Sequence, residues 1–396
     1  MDFSYFNNIT NFRPAKPYAE ILDNAREISQ YIDRNEGWKV VWFSEHHLST
    51  LGPTNGFMEV LPNPTMMCVD IAARTKNIKV GTAANIITFH SPLTLAEDIA
   101  LLDNLTGGRI EISVGRGVFN KEAVHNNAVA SLTDQAQNFR LFQETLEILN
   151  KSWYEEYFSH KGEFYEYPFP DFKYNHPMVN EPEDVIDPET KILKKISVVP
   201  KPLNKINLHQ VVDSVSSIQF AAKNDMGCLM WLPTVKSLKQ RFKAYQEARS
   251  EVEGREVPLG ENICLVKDTF IADSMQEAED LAGEYILNYY KWITSGGRGI
   301  DILADPGEEF PKKDGKSDVG ILDYKFLHPR NLLVGTVEYV IEKIQELKSE
   351  LNLQHLAVWN NHPGMPHEST MKSLKLFNEK VMPHFINDSA GVKKVS

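Results

Sequence analysis

Cysteine is scarce. The 396 residues contain three, Cys68, Cys228 and Cys264, far apart and without CxxC spacing, which argues against a disulfide framework and against a thiolate zinc site and points to a reducing, cytoplasmic compartment. No run of about eighteen apolar residues occurs, as a membrane span would need. The first stretch, MDFSYFNNITNFRPAKPY, lacks a charged segment followed by an apolar one and a cleavage-like end. The expectation is a soluble protein without a membrane partner. Basic residues are outnumbered, 42 Lys and Arg against 54 Asp and Glu, for a formal charge of −12. With the acidic residues scattered, nucleic acid is an unlikely partner for such a surface. No GxGxxG pattern follows the first strand, which speaks against a dinucleotide-binding sheet, and there is no internal repeat or low-complexity tract.

What is present is alternation. Apolar patterning predicts strands over Phe3–Ile9, Lys39–Phe43, Ile78–Ala84, Arg109–Val114, Leu208–Val212, Gly227–Leu232, Ile263–Ile271 and His355–Trp359. Between and after them it predicts helices over Tyr18–Arg34, Pro64–Thr75, Leu93–Leu105, Ser131–Trp153, Ser216–Asn224, Val235–Glu253, Met275–Trp292, Thr336–Leu351 and Glu368–Phe385, with Ser131 and Asp134 both candidate caps for the fourth. About eight strand–helix pairs favour a single closed TIM (β/α)8 barrel over an open doubly wound sheet. Pro168–Pro202, rich in Pro, Asp, Glu and Asn, and Ser295–Tyr324 interrupt the alternation. Structureless stretches of that length are lids, binding loops or disorder. The tail Asn387–Ser396 reads as frayed.

In such a barrel the C-terminal ends of the strands face the active site. Those ends carry Glu45-His46-His47, Ala83-Ala84-Asn85, Gly115-Arg116-Gly117, Asp213-Ser214-Val215-Ser216-Ser217 and Trp231. A guanidinium between two glycines can approach an anion closely, and its planar fork suits phosphate. A strand ending in Asp-Ser-x-Ser-Ser at the start of a helix adds hydroxyls and unsatisfied N–H groups where an anion is favoured. Arg116 and this loop together describe a phosphate site, although Asp213 and the serines equally suit a plain helix cap. His46 and His47 suit proton transfer or merely a polar mouth. A metal reading of Glu45-His46-His47 is weakened because adjacent residues of an extended chain point to opposite sides and no third ligand stands at readable spacing.

These stretches carry a resemblance. Val40-Val41-Trp42-Phe43-Ser44-Glu45-His46-His47, Val80-Gly81-Thr82-Ala83-Ala84 running into His90-Ser91-Pro92, and Ala96-Glu97-Asp98 through Arg109 to Gly117 resemble the bacterial luciferase family of flavin-dependent monooxygenases. Val212–Ser217, Val334-Gly335-Thr336-Val337-Glu338 and Val381-Met382-Pro383 support it in the same order. The resemblance implies a TIM-type barrel with an insertion that takes reduced FMN from a separate flavin reductase. Through a flavin C4a-hydroperoxide formed with O2, it would oxygenate a small, largely apolar organic substrate. By position it implies Arg116, Asp213, Ser214 and Ser217 on the phosphate, with Val212 in the same stretch, a cis Ala83–Ala84 peptide against the flavin ring, and His46 as the catalytic histidine. It further implies Ser295–Tyr324 as a mobile lid and a homodimer. Trp231, at the sixth strand end, is read as a cofactor neighbour, and Phe57, Phe89 and Phe119 as further aromatics near the mouth. Three features depart from luciferases: Gly115 stands where they carry a reactive cysteine, Asp213 replaces a glutamate, and Pro168–Lys195 contains an insertion. These put light emission in doubt. Hydride transfer with the deazaflavin F420, or a non-catalytic flavin-binding subunit, are the alternatives.

Overall fold

The computed structural model describes residues 1–49, 55–296 and 298–386; the tail expected to fray, 387–396, lies outside the described residues. Eight strands, β1 (Asp2–Phe6), β2 (Trp38–Phe43), β3 (Lys79–Ile86), β4 (Ile110–Gly115), β5 (Leu208–Val211), β6 (Gly227–Met230), β7 (Ile263–Ile271) and β8 (His355–Trp359), follow one another in chain order around a sheet. β8 pairs back onto β1, with Phe3 beside Leu356. The sheet is therefore closed, and it is a TIM barrel. All eight are the strands that the alternation predicts. A three-residue strand, Leu333–Gly335, pairs in parallel with the end of β7; it is too short to show a period.

The helices start and stop where local chemistry dictates. Helix α1 (Tyr18–Arg34) buries Ile21, Ala25, Ile28 and Ile32 on one stripe. Helix α2 (Pro64–Ala72) has proline in its first turn, and the Asn63 side chain accepts from the Met66 N–H at 2.8 Å. Helices α3 (Pro92–Thr106) and α4 (Gln135–Tyr154) follow. Of the two candidate caps for α4, Asp134 is the one used, its carboxylate accepting from the Gln137 N–H at 2.9 Å. Helices α5 (Val215–Lys223) and α6 (Val235–Glu253) come next, and α6 ends on Gly254 at φ +64°. Where one helix is expected over Met275–Trp292, a five-residue π turn at Glu279–Gly283 separates a short helix from α7 (Glu284–Gly296). Helix α8 (Val337–Leu351) precedes β8, and the last predicted helix is α9 (His367–Leu376) followed by a second π turn and a short helix at Pro383. Proline there lacks the N–H that a continuous helix would use.

The described residues form two compact units, residues up to 85, 111–114 and 207–386, and residues 86–110 and 115–206. The first holds the barrel strands apart from the ends of β3 and β4. In the second, Trp153 of α4 donates to the Ala96 carbonyl of α3 at 3.0 Å. The Glu144 carboxylate accepts from the N–H groups of Glu163, Phe164 and Tyr165.

Neither interruption is structureless. Within 168–202, isolated bridges join Lys173 to Ile192 and Ile186 to Leu193; single bridges leave no alternation to read. In 295–324, buried Ile300, Leu303, Phe310 and Leu322 pack with Phe270, Tyr290 and Val334, and Asp305 accepts from Thr234 and Lys236, each at 2.7 Å. No described helix is long and apolar enough to cross a membrane.

The barrel leaves no room at Gly81 of β3, where an added Cβ would lie 2.6 Å from the Trp42 ring and 2.9 Å from the Glu111 carbonyl oxygen. Overpacking of this kind costs about 1–3 kcal/mol. The variant Gly81→Ala is expected to lose that much stability, read as a lower urea midpoint with an unchanged slope.

Candidate functional site

Strand β2 ends at Phe43, and the chain turns away from the sheet through Ser44, Glu45, His46 and His47. The two histidines face different carboxylates. His47 Nε2 lies 2.9 Å from Oε1 of the buried Glu45, whereas His46 Nε2 contacts the Glu59 carboxylate. Glu59 is almost fully buried and takes two more donors, Asn8 Nδ2 at 2.6 Å and the Tyr289 hydroxyl. Burial by itself would raise the Glu59 pKa. The charge and hydrogen bond of His46, then Tyr289 and Asn8, outweigh it and hold the carboxyl below its ordinary range.

A second buried carboxylate organises the mouth. Asp268 of β7 is inaccessible and accepts from Trp231 Nε1 at 2.9 Å, the Tyr290 hydroxyl at 2.7 Å and His362 Nε2 at 2.8 Å. Again burial opposes ionisation, and the charge and hydrogen bonds of His362, then those of Trp231 and Tyr290, prevail. Trp231 is thereby fixed among aromatic rings: Trp359 at 5.3 Å, Tyr289 at 5.5 Å and Tyr290 at 5.7 Å between centroids. Tyr289 joins the two clusters, since its hydroxyl reaches Glu59 and its ring stands perpendicular to Trp359 at 4.7 Å.

At the end of β5, Val212 donates its N–H to the Leu229 carbonyl. Ser214 is the cap of α5, accepting from the Ser217 N–H at 3.2 Å while its hydroxyl donates to Ser217 Oγ at 3.0 Å. The plain capping role of the serine is therefore real, and it presents two hydroxyls at a helix start. Asp213 does not cap; its carboxylate is ion-paired with Arg298, and its carbonyl accepts from Arg241 Nε at 2.9 Å. Burial lowers the Arg298 pKa to about 10, and the Glu59 charge opposes this.

The Ala83–Ala84 peptide is cis, and both residues are buried. The register of β2 and β3, Phe43 beside Thr82, sets them level with the turn that carries His46. Arg116 belongs to the second unit. Its guanidinium lies 5.4 Å from the Phe139 ring centroid, burial depresses its pKa, and its carbonyl accepts from Asn138 Nδ2 at 3.3 Å. Of the other aromatics, Phe57 stacks obliquely on Tyr18, and Phe89 fills the space beside Gly117. Among the described residues no group of three His, Cys, Asp or Glu side chains could hold a metal ion.

Sequence reasoning missed Asn8, Glu59, Asp268, Tyr289 and Arg298. A signal existed for one of them: Lys267-Asp268 is a charged pair inside an otherwise apolar strand. Asn8 was hidden because the apolar pattern carried β1 on to Ile9, two residues past Asn7. The others lie far along the chain from the groups they contact.

Comparison with known proteins adds the lineage. The oxygenase component of a flavin-dependent trigonelline monooxygenase from Acinetobacter baylyi is 24% identical over 97% of this chain and 96% of its own length. Among solved structures, the oxygenating constituent of 3,6-diketocamphane monooxygenase from Pseudomonas putida, in complex with FMN, superposes with a TM-score of 0.70 at 20% identity. That match covers 97% of this chain and 98% of the other. An F420-dependent secondary alcohol dehydrogenase superposes with a TM-score of 0.65 at 14% identity, over 96% and 98%; at such identities the likeness is one of fold. The family described as luciferase-like monooxygenase matches residues 1–353. With a closed eight-stranded barrel and a cis peptide at Ala83–Ala84 beneath that match, this chain belongs to the luciferase-like monooxygenase family.

Proposed function

We propose that this chain is the oxygenase component of a two-component flavin monooxygenase. It takes reduced FMN from a separate reductase and, with O2, adds one oxygen atom to a small, largely apolar organic molecule. The observation that carries the proposal is that one barrel presents, at its strand ends, both a proton-handling histidine on a buried carboxylate and a serine-capped helix start. Reduced FMN, when bound, supplies the electrons that activate O2. The residues fit the group. Ser214, Ser217 and the first N–H groups of α5 would donate to its phosphate, and Arg116 is carried over as the guanidinium on the family resemblance. The Asp213 carboxylate would repel a dianion if it stood alone, and Arg298 neutralises it. Ala83 and Ala84 would offer a flat, side-chain-poor wall to the ring, and Trp231, clamped by Asp268, a rigid edge. His46 would hold or move the proton. The aromatic rings around Trp231 would keep water from the reacting atoms. The 295–324 segment is carried over as the lid on the family resemblance. Three free, buried cysteines suit a reducing cytoplasm.

Photoreduced FMN mixed with the protein in oxygenated buffer is expected to regain oxidised-flavin absorbance more slowly than free reduced FMN does. In that stopped-flow assay the variant His46→Ala should keep its FMN affinity while oxygen transfer to substrate falls about 10²–10⁴-fold, the range for loss of a general acid or base. Tight F420 binding with no affinity for reduced FMN would instead establish the hydride-transfer alternative.

The phosphate assignment is separable. Loss of one hydrogen bond to a charged group costs about 1.5–3 kcal/mol, so Ser217→Ala is expected to weaken reduced FMN by roughly tenfold or more while leaving reduced riboflavin unaffected.

Homodimerisation is part of the proposal. Met66 of α2 is 70% exposed with Val69 beside it, and this is where a second copy would dock. Sedimentation equilibrium should return twice the chain mass of 45.1 kDa, and Met66→Glu should return the monomer.

A further inference from the structure

We propose that Lys267 binds one small inorganic anion, of the size of chloride, through its ammonium, in a crevice between β7 and α8. No flavin chemistry enters. Lys267 and Asp268 are the charged pair within the otherwise apolar β7. Asp268 turns toward the mouth, where Trp231, Tyr290 and His362 meet it. Successive side chains of a strand point to opposite faces, so Lys267 turns outward, and it lines a crevice with Val235 at the start of α6, Leu333 and Leu347 of α8.

Lys267 is 2% exposed. The charged residues on the same crevice are Arg330, from the helix Tyr324–Asn331, and Lys343 and Glu346 of α8; α6 and the Leu333–Gly335 strand bring none. Those neighbours are already matched. Arg330 donates to the two Glu308 oxygens at 2.6 and 2.8 Å, and Lys343 to Glu346 at 2.7 Å. Lys267 is not: among the described residues no hydrogen bond or ion pair reaches its Nζ, and the charge that favours its protonated form, Asp268, is committed to three other donors. A buried ammonium in that position is disfavoured, and burial lowers the Lys267 pKa to about 8. Arg330 also ties the crevice to the 295–324 segment, to which Glu308 belongs.

The crevice has about 20 Å³ of room, enough for one occupant of about the size of a water molecule. That excludes phosphate, carboxylates and any organic anion, and leaves a monatomic anion or a water. A water would accept from Lys267 and donate to Asn331 Oδ1, which is buried without a partner while its Nδ2 donates to the Leu232 carbonyl. It would leave the charge unmatched. An unpaired buried charge is costlier than an unpaired amide oxygen, so the anion is the occupant that removes the larger penalty. With its pKa lowered to about 8, protonated Lys267 works against the folded state below that pH, and the cost fades as the pH rises toward about 10.4, the ordinary lysine value. An anion bound to the protonated form therefore stabilises most below pH 8 and not where the amine is neutral.

The test compares the full chain with Lys267→Met, which keeps the length and removes the charge, without cofactor. Chloride-35 NMR line width reports binding directly, and the thermal midpoint is followed as chloride replaces sulfate at constant ionic strength; general salt effects act on both proteins alike. Chloride is expected to broaden the line more with wild type than with Lys267→Met and to raise the wild-type midpoint relative to that of the variant. The apparent affinity should fall about tenfold per pH unit above pH 8. Equal line widths and parallel midpoints in the two proteins would overturn the proposal and assign the crevice to a water. So would a wild-type response that ignores pH. If Lys267→Met does not fold, the wild type decides alone: the lysine ε-carbon signal that titrates near pH 8 should move to higher pH in chloride, and one that stays in place would overturn the proposal.

Discussion

Two buried carboxylates, Glu59 and Asp268, constrain the mouth of this barrel more than any other feature. A buried charge persists only if donors replace its hydration shell. Each of these carboxylates is met by three donors. The donors come from well-separated parts of the chain: Asn8 after β1, His46 after β2, Trp231 after β6, Tyr289 and Tyr290 on α7, and His362 after β8. Satisfying two charges therefore fixes the ends of four strands and one helix relative to one another. Removing one donor would leave the others facing an undersolvated charge, so the arrangement holds as a unit.

This constraint gives the site its chemical character. A histidine held against a buried carboxylate has its ring position fixed by the fold. An indole clamped by a second carboxylate offers a rigid surface rather than a mobile side chain. The neighbouring rings, Trp231, Trp359, Tyr289 and Tyr290, make a dry floor in which charge interactions are strong. At β5 the chemistry is different, with two serine hydroxyls hydrogen-bonded to each other at the start of α5 and an Asp–Arg pair beside them. The histidine turn and the serine-capped start thus differ in chemical character, one built on a buried charge and the other on hydroxyls at a helix start.

The two long interruptions show how a sequence pattern understates structure. The 295–324 segment reads as a loop because Pro306-Gly307 and Lys312-Lys313-Asp314-Gly315 break it up, yet Ile300, Leu303, Phe310 and Leu322 within it are buried. The 168–202 segment leaves Phe169 and Met178 largely exposed and is stapled by single bridges. In both, order comes from contacts that recur only once, and periodicity cannot report those.

The amino-acid sequence by itself determined the barrel. Eight apolar strand signals separated by amphipathic helices admit one closed parallel sheet, and every barrel strand lies where its alternation predicts, because hydrophobic periodicity is a local property. It also determined the residues at the strand ends, His46, Ala83, Ala84, Asp213, Ser214, Ser217 and Trp231 among them, since topology alone puts those ends on one rim. Only the tertiary structure decided what each of them touches. That His46 faces Glu59, that Asp213 binds Arg298 and leaves the cap to Ser214, and that Asp268 clamps Trp231 follow from closure between distant segments. A buried charge recruits whichever donors the fold brings within reach, and donors at such irregular separations leave no spacing in the sequence to read.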